Sequence, residues 1–154
     1  MKFLTERIDR LDLEITRRVK EDNEVRRLTT IPGVGPVTAT ALAALAPPAE
    51  TFKKGRDFAA WMGLTPLQRS TGGKQKLGAT SKMGERTLRP LLIIGASAMV
   101  RQATRRGPIG IVARTDARRK PRMLVIVALA NKMARIVWAL LAKGGIYTAP
   151  AAVV

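Results

Sequence analysis

Apolar residues recur along the first turns of the chain at Leu4, Ile8, Leu11, Ile15 and Val19, in steps of 4, 3, 4 and 4, with Arg, Lys, Asp and Glu between them. Such steps put side chains on one face of a 3.6-residue helix, so residues 2–28 are predicted as one helix with a narrow apolar stripe. A stripe edged by both signs of charge suits a coiled-coil or helix-packing seam, through which the chain would form a homo-oligomer or meet a partner chain. It equally suits an amphipathic helix lying on its own domain. Residues 1–28 are read as a helical connector or coiled-coil segment.

Pro32 and two glycines end that helix, and Pro36 begins another through Val37-Thr-Ala-Thr-Ala-Leu42, because proline fits a first helical turn. The unit is helix, tight turn, helix. Ala46-Pro-Pro-Ala-Glu50 breaks the chain, and Arg56–Met62 reads as a short helix with Phe58 and Trp61 as core anchors, stopped at Gly63. From Leu64 to Met83 the periodicity fails and Gly, Ser, Thr, Gln and Lys gather, which predicts a long functional loop or a short hairpin. A helix resumes near Glu85 with Leu88, Leu91, Leu92, Gly95 and Met99 on one face; Pro90 either kinks it or marks its first turn. After a basic connector, Ile126, Leu129, Met133, Ile136 and Leu140 lay out a last long helix, closed by Gly144 and Gly145. With no convincing strand, the fold class is all-α. Residues 29–143 form one domain and 144–154 a flexible tail.

Composition narrows the chemistry. The 154 residues contain no cysteine and no histidine, which removes disulfides, thiolate or imidazole metal sites, Cys nucleophiles and His bases. The longest apolar runs, Leu91–Val100 and Met123–Ala130, are ten and eight residues, short of the roughly 20 that cross a bilayer. No secretory signal precedes the charged first helix, so a cytoplasmic protein without a membrane partner is expected. Net charge is +17, and it is unevenly spread. The first 24 residues hold seven acids and six bases; the remainder holds 22 bases against Glu50, Asp57, Glu85 and Asp116. A downstream excess of +18 points to a polyphosphate partner, DNA or RNA, although a merely solubilising surface has the same composition.

Two segments could use that charge. In Pro32-Gly33-Val34-Gly35, glycines permit positive φ and close approach of backbone to phosphate, while the next helix offers unpaired amides and its positive dipole end. This is a helix-hairpin-helix arrangement that would grip one strand without reading bases. An ordinary αα-turn has the same residues. In Arg69-Ser70-Thr71-Gly72-Gly73-Lys74-Gln75-Lys76, a hydroxyl pair sits in a glycine loop ringed by cations. Ser70 or Thr71 could attack a phosphate, with Arg69, Lys74, Lys76, Lys82, Arg86 and Arg89 as the local positive supply. A flexible loop that only donates amides to phosphate is the competing reading. The carboxylates are too scattered to predict a metal site, and Arg118–Arg122 puts positive charge at a helix start, which an anion would relieve.

Taken together, Thr30-Ile-Pro-Gly-Val-Gly-Pro-Val-Thr-Ala39, Phe58-Ala-Ala-Trp-Met-Gly-Leu-Thr-Pro66, Ser70-Thr-Gly-Gly-Lys-Gln75, Ser81-Lys-Met-Gly84, Leu88-Arg89 and Ala128-Leu-Ala-Asn-Lys-Met-Ala-Arg135 resemble one family. It is that of the insertion-sequence transposases that pair an N-terminal RNase-H-like DEDD domain with a C-terminal serine domain. The resemblance covers residues 25–143 and implies a recombinase whose serine attacks the DNA backbone, with sites selected by a structured guide RNA. Ser70 matches the nucleophile best and Thr71 is the runner-up; Lys74, Lys82 and Arg89 would lie near the DNA. The acidic domain, and with it the family's Mg-binding carboxylates, has no counterpart in these residues, so no cofactor is expected in this chain. The resemblance thus implies a fragment, or a half that works with another polypeptide.

Overall fold

The periodicity predicts one helix over residues 2–28, and the computed structural model has two. It describes residues 2–68, 73, 77–81, 83–106 and 120–149. Helix α1 (Lys2–Glu21) stops where Asp22 leaves the helical region at φ −95° and ψ 114°, and α2 (Asn23–Leu28) starts at once. The Asp22 carboxylate accepts hydrogen bonds from the Glu24 and Val25 amides at 2.8 and 3.3 Å, satisfying two donors that a helix start leaves open. On α1 no residue is buried: Leu4, Ile8 and Leu11 face solvent, and of the apolar stripe Ile15 and Val19 are half covered near α2 and the next helix. Ion pairs of Glu14 with Arg17 (3.2 Å) and Arg18 (3.1 Å) lie on its surface, where they contribute little.

Helix α3 (Pro36–Leu45) begins as predicted, with Gly35 as its cap residue and Pro36 in its first turn. A single 3-10 turn (Ala49–Thr51) leads into α4 (Gly55–Trp61). Asp57 holds the start of α4 by accepting from the Lys54 amide at 3.1 Å. Phe58 is fully buried; Trp61 is half-buried and closes an aromatic group with Phe52, at centroid distances of 5.7 Å to Phe58 and 5.9 Å to Phe52.

Strands β1 (Pro66–Gln68) and β2 (Leu77–Thr80) then pair antiparallel, Pro66 opposite Thr80 and Gln68 opposite Leu77, with a register irregularity between. The pairing of 66–68 with 77–80 favours the hairpin of the two alternatives and corrects the expectation of no strand. Two strands so short leave the class all-α.

Helix α5 (Leu88–Arg106) places Pro90 in its first turn, where a missing N–H is harmless, and does not start as early as Glu85. Helix α6 (Arg122–Lys143) is the axis of the core: Val125, Ile126, Leu129, Ala130, Met133, Ala134, Val137 and Leu140 are buried against α5, α4, α2 and the 3-10 turn. By length and composition α6 could cross a membrane, longer than the runs read from the sequence; here its apolar side is the domain's core. Gly144 ends it at φ +74°. Residues 144–149, read from sequence as part of a flexible tail, turn back across α2, where the Tyr147 amide donates to Thr30 Oγ1 at 2.9 Å. The Tyr147 ring packs on the core, and burial pushes its hydroxyl pKa up.

Candidate functional site

The turn between α2 and α3 has an inner and an outer side. Ile31 and Val34 are buried, and the Val34 amide is used within the turn, donating to the Ile31 carbonyl at 3.0 Å. Gly33 sits at φ +84°, a conformation costly for any residue with a Cβ, and its carbonyl lies directly against Gly95 of α5, with Met99 and Met133 around it. So two of the four residues predicted to touch a backbone phosphate, half-buried Gly33 and buried Val34, pack toward the core, because the turn docks on α5. The outer side is Gly35, which is exposed at φ −86° with open space where a Cβ would be, followed by exposed Pro36 and Val37. No side chain caps α3. The exposed part of this start is therefore Gly35, Pro36 and Val37, since Thr38 is buried and the Ala39 amide donates to the Gly35 carbonyl at 2.9 Å, while Pro32 in the turn is half-buried.

The hairpin is held at its base from four directions. The Ser81 amide donates to the Thr65 carbonyl at 2.8 Å, and the Glu85 amide to the Trp61 carbonyl at 3.1 Å. Asn131, from the middle of α6, donates Nδ2 to the Leu64 carbonyl at 3.1 Å. Gly63, at φ +68°, lets the chain turn out of α4 beside the Arg89 guanidinium, so Arg89 stands at the base of the hairpin. Arg86 is exposed one turn earlier. The Glu85 carboxylate locks the start of α5, accepting from the Thr87 amide at 2.9 Å and from the Leu88 amide. Burial pushes its pKa up, but the hydrogen bonds from Leu88 and Thr87 outweigh that and leave it below the ordinary carboxylate value.

The faces of β1 and β2 are mostly exposed, and so is Gly73, at φ +78°. Arg69, Ser70, Thr71, Gly72, Lys74, Lys76 and Lys82 lie outside the described residues. Sequence reasoning named Arg89 only as a cation for DNA, and did not single out Glu85, Asn131, Gly84 or Gly95 as supports. Of these only Gly95 carries a signal in the sequence, a glycine inside a helical pattern that disfavours it; Gly84 lies in the bend before α5, packed under the Trp61 carbonyl. Among the described residues no three acidic side chains gather to hold a metal ion, so nothing described here fits the magnesium that the resemblance assigns to an acidic domain.

An all-α domain with a hairpin anchored at its base, an open glycine turn at a helix start and a large positive excess defines a class of small basic domain. The profile of the IS116/IS110/IS902 transposase family matches residues 25–108, from α2 past the end of α5, and the chain belongs to that family. It is 46% identical over 156 residues to a Pseudomonas aeruginosa protein described as "Probable family 20 transposase", covering 96% of this chain and 44% of that one. To the transposase for insertion sequence element IS1328 of Yersinia enterocolitica it is 36% identical over 147 residues, 95% of this chain and 44% of the relative. The transposase for element IS1111A of Coxiella burnetii is 37% identical over 137 residues, 87% and 37% respectively. The chain thus spans less than half the length of these curated relatives.

Proposed function

We propose that this chain is the DNA-handling serine portion of a transposase, in which Ser70 on the β1–β2 connection is the nucleophile of strand cleavage and transfer. What carries the proposal is the anchored hairpin: a rigid base with Arg89 beneath it supports a connection containing two hydroxyls, two glycines and three cations. Attack by the Ser70 oxygen forms a bond to phosphorus as the bond to the departing sugar oxygen breaks, so the phosphodiester energy is conserved in a phosphoserine link. The reverse attack by a sugar hydroxyl completes transfer. Charge that develops on the phosphoryl oxygens is what arginine and lysine stabilise. The hydroxyl proton needs an acceptor, and this histidine-free chain is expected to obtain it in a composite site with an acidic, Mg-binding domain from a longer polypeptide or a partner.

DNA would lie across the open turn as well, with the Gly35 backbone and the first amides of α3 against one strand, in the manner of a helix-hairpin-helix. A structured RNA would then choose the sites, since backbone contacts carry no sequence information, and the work would take place in the cytoplasm. The alternative is a non-catalytic helix-hairpin-helix binding module. The experiment incubates the protein, alone and with a full-length relative, with DNA carrying an element junction and looks for a covalent protein–DNA adduct. An adduct lost in Ser70→Ala supports the nucleophile; one lost only in Thr71→Ala moves it by a residue. No adduct in either mixture favours the binding module.

A further inference from the structure

The basic start of α6 has no part in the hairpin site. Arg122 opens that helix and, with Arg101 of α5, edges a cleft of about 310 Å³ between the two helices, at the small end of the roughly 300–1,000 Å³ typical of ligand sites. Ile93, Ile94, Met123 and Ile126 line the cleft, and Ser97 adds one hydroxyl. Ile94 and Met123 are 63% and 59% exposed, so the cleft presents apolar side chains to solvent at its mouth.

The polar end of the cleft is short of negative charge. Neither guanidinium has an acidic partner among the described residues, and no described carboxylate lines the cleft. Helix α6 has no side-chain cap; Leu124 and Val125 donate to the Pro121 carbonyl, while the Arg122 and Met123 amides have no acceptor among the described residues. A guanidinium at the positive end of a 22-residue helix is unfavourable until an anion arrives. The fitting ligand therefore has one anionic group joined to a compact apolar body.

We propose that this cleft binds a single unpaired nucleotide of a nucleic-acid strand, its phosphate against Arg101, Arg122 and the first amides of α6, its base against the isoleucines and Met123. A duplex cannot enter, because its bases are stacked and its backbone alone would meet the apolar floor. With no aromatic side chain and one hydroxyl, the cleft accepts any base with little discrimination. The proposal rests on the nucleic-acid reading above but not on Ser70.

The test measures fluorescence anisotropy of the full chain with a 12-nucleotide single strand, as DNA and as RNA, and with the matching DNA duplex. Variants are Arg101→Ala with Arg122→Ala, which removes charge, and Ser97→Phe, which fills the cleft and removes none. Ile94→Asp, at an exposed position, replaces Ser97→Phe if circular dichroism finds the latter unfolded. Each is expected to weaken single-strand binding about tenfold, Ser97→Phe leaving duplex binding within about twofold. A 2-aminopurine in the single strand should brighten with the native chain and stay dark with the filled cleft. Tighter binding of one strand type assigns the source of the nucleotide as DNA or RNA. Unchanged single-strand affinity in the filled cleft, equal losses for strand and duplex there, or a change in self-association instead of strand binding would overturn the proposal. Failure of the native chain to bind duplex at all would strike the transposase reading, which a negative result at the cleft alone would not.

Discussion

Gly95 and Glu85 are the two residues whose roles are narrowest. A methyl group at position 95 would strike the Gly33 carbonyl, backbone against backbone, where no side chain can move aside. Gly95→Ala is expected to lower stability by about 1–3 kcal/mol in urea unfolding, in spite of alanine's better helix propensity. Gly35→Ala is its counterpart: the position is open and its φ ordinary, so stability should change by less than about 1 kcal/mol. Duplex affinity should nevertheless fall several-fold if phosphate approaches the Gly35 backbone; an unchanged affinity would remove the turn from the DNA surface. For Glu85, a folded pKa below the unfolded one means that its contribution is complete above the unfolded value and fades as pH falls through the folded one. Glu85→Ala should therefore cost about 1 kcal/mol at pH 7, from the two lost amide partners, and much less near pH 3. A loss independent of pH would mean that the carboxylate is not the anchor.

At the scale of elements, long periodic segments were readable and short ones were not. α3, α4 and α6 begin and end near the signals that sequence supplies, Pro36, Gly63 and Gly144, because those signals act locally. Asp22 was unreadable as a break: among alternating surface charges, an aspartate looks like one more solvated side chain until its carboxylate is seen on two amides. β1 and β2 are exposed over most of their length and only three and four residues long, so no alternation of apolar and polar positions announces them. The inward turn of Gly33 and Val34 depends on α5, sixty residues onward, and no local pattern contains it. The residue types of the proposed site, hydroxyls among glycines and cations, stand in the sequence itself, whereas the support of the hairpin base by Asn131 and Glu85 is tertiary. α1 remains an element with an unused seam, since Leu4, Ile8 and Leu11 are exposed. If that seam pairs copies of the chain, sedimentation should find a dimer in the native protein and a monomer in an Ile8→Asp, Leu11→Asp double variant, with the fold retained because neither side chain is in the core. A monomer in both would make α1 a surface helix only.

Across the whole molecule, charge and apolar surface are divided between regions. The first 24 residues are close to neutral, and the excess of +18 lies on the part that carries the turn, the hairpin and α5 and α6. Binding by such a surface releases counterions, so log affinity for duplex DNA should fall linearly with log salt, by roughly 0.9 per phosphate neutralised. Affinity that is flat between low and moderate salt would contradict a backbone-gripping domain. The central claim, that the β1–β2 connection presents a serine nucleophile, is tested most directly by trapping. A junction DNA with a sulfur-bridged scissile phosphate, mixed with the chain and a full-length relative whose own serine is replaced, should leave a stable link on this chain, and peptide mass mapping should find the nucleotide on Ser70. A link on a residue outside positions 69–76, or none while the relative with its serine intact is trapped under the same conditions, would contradict it.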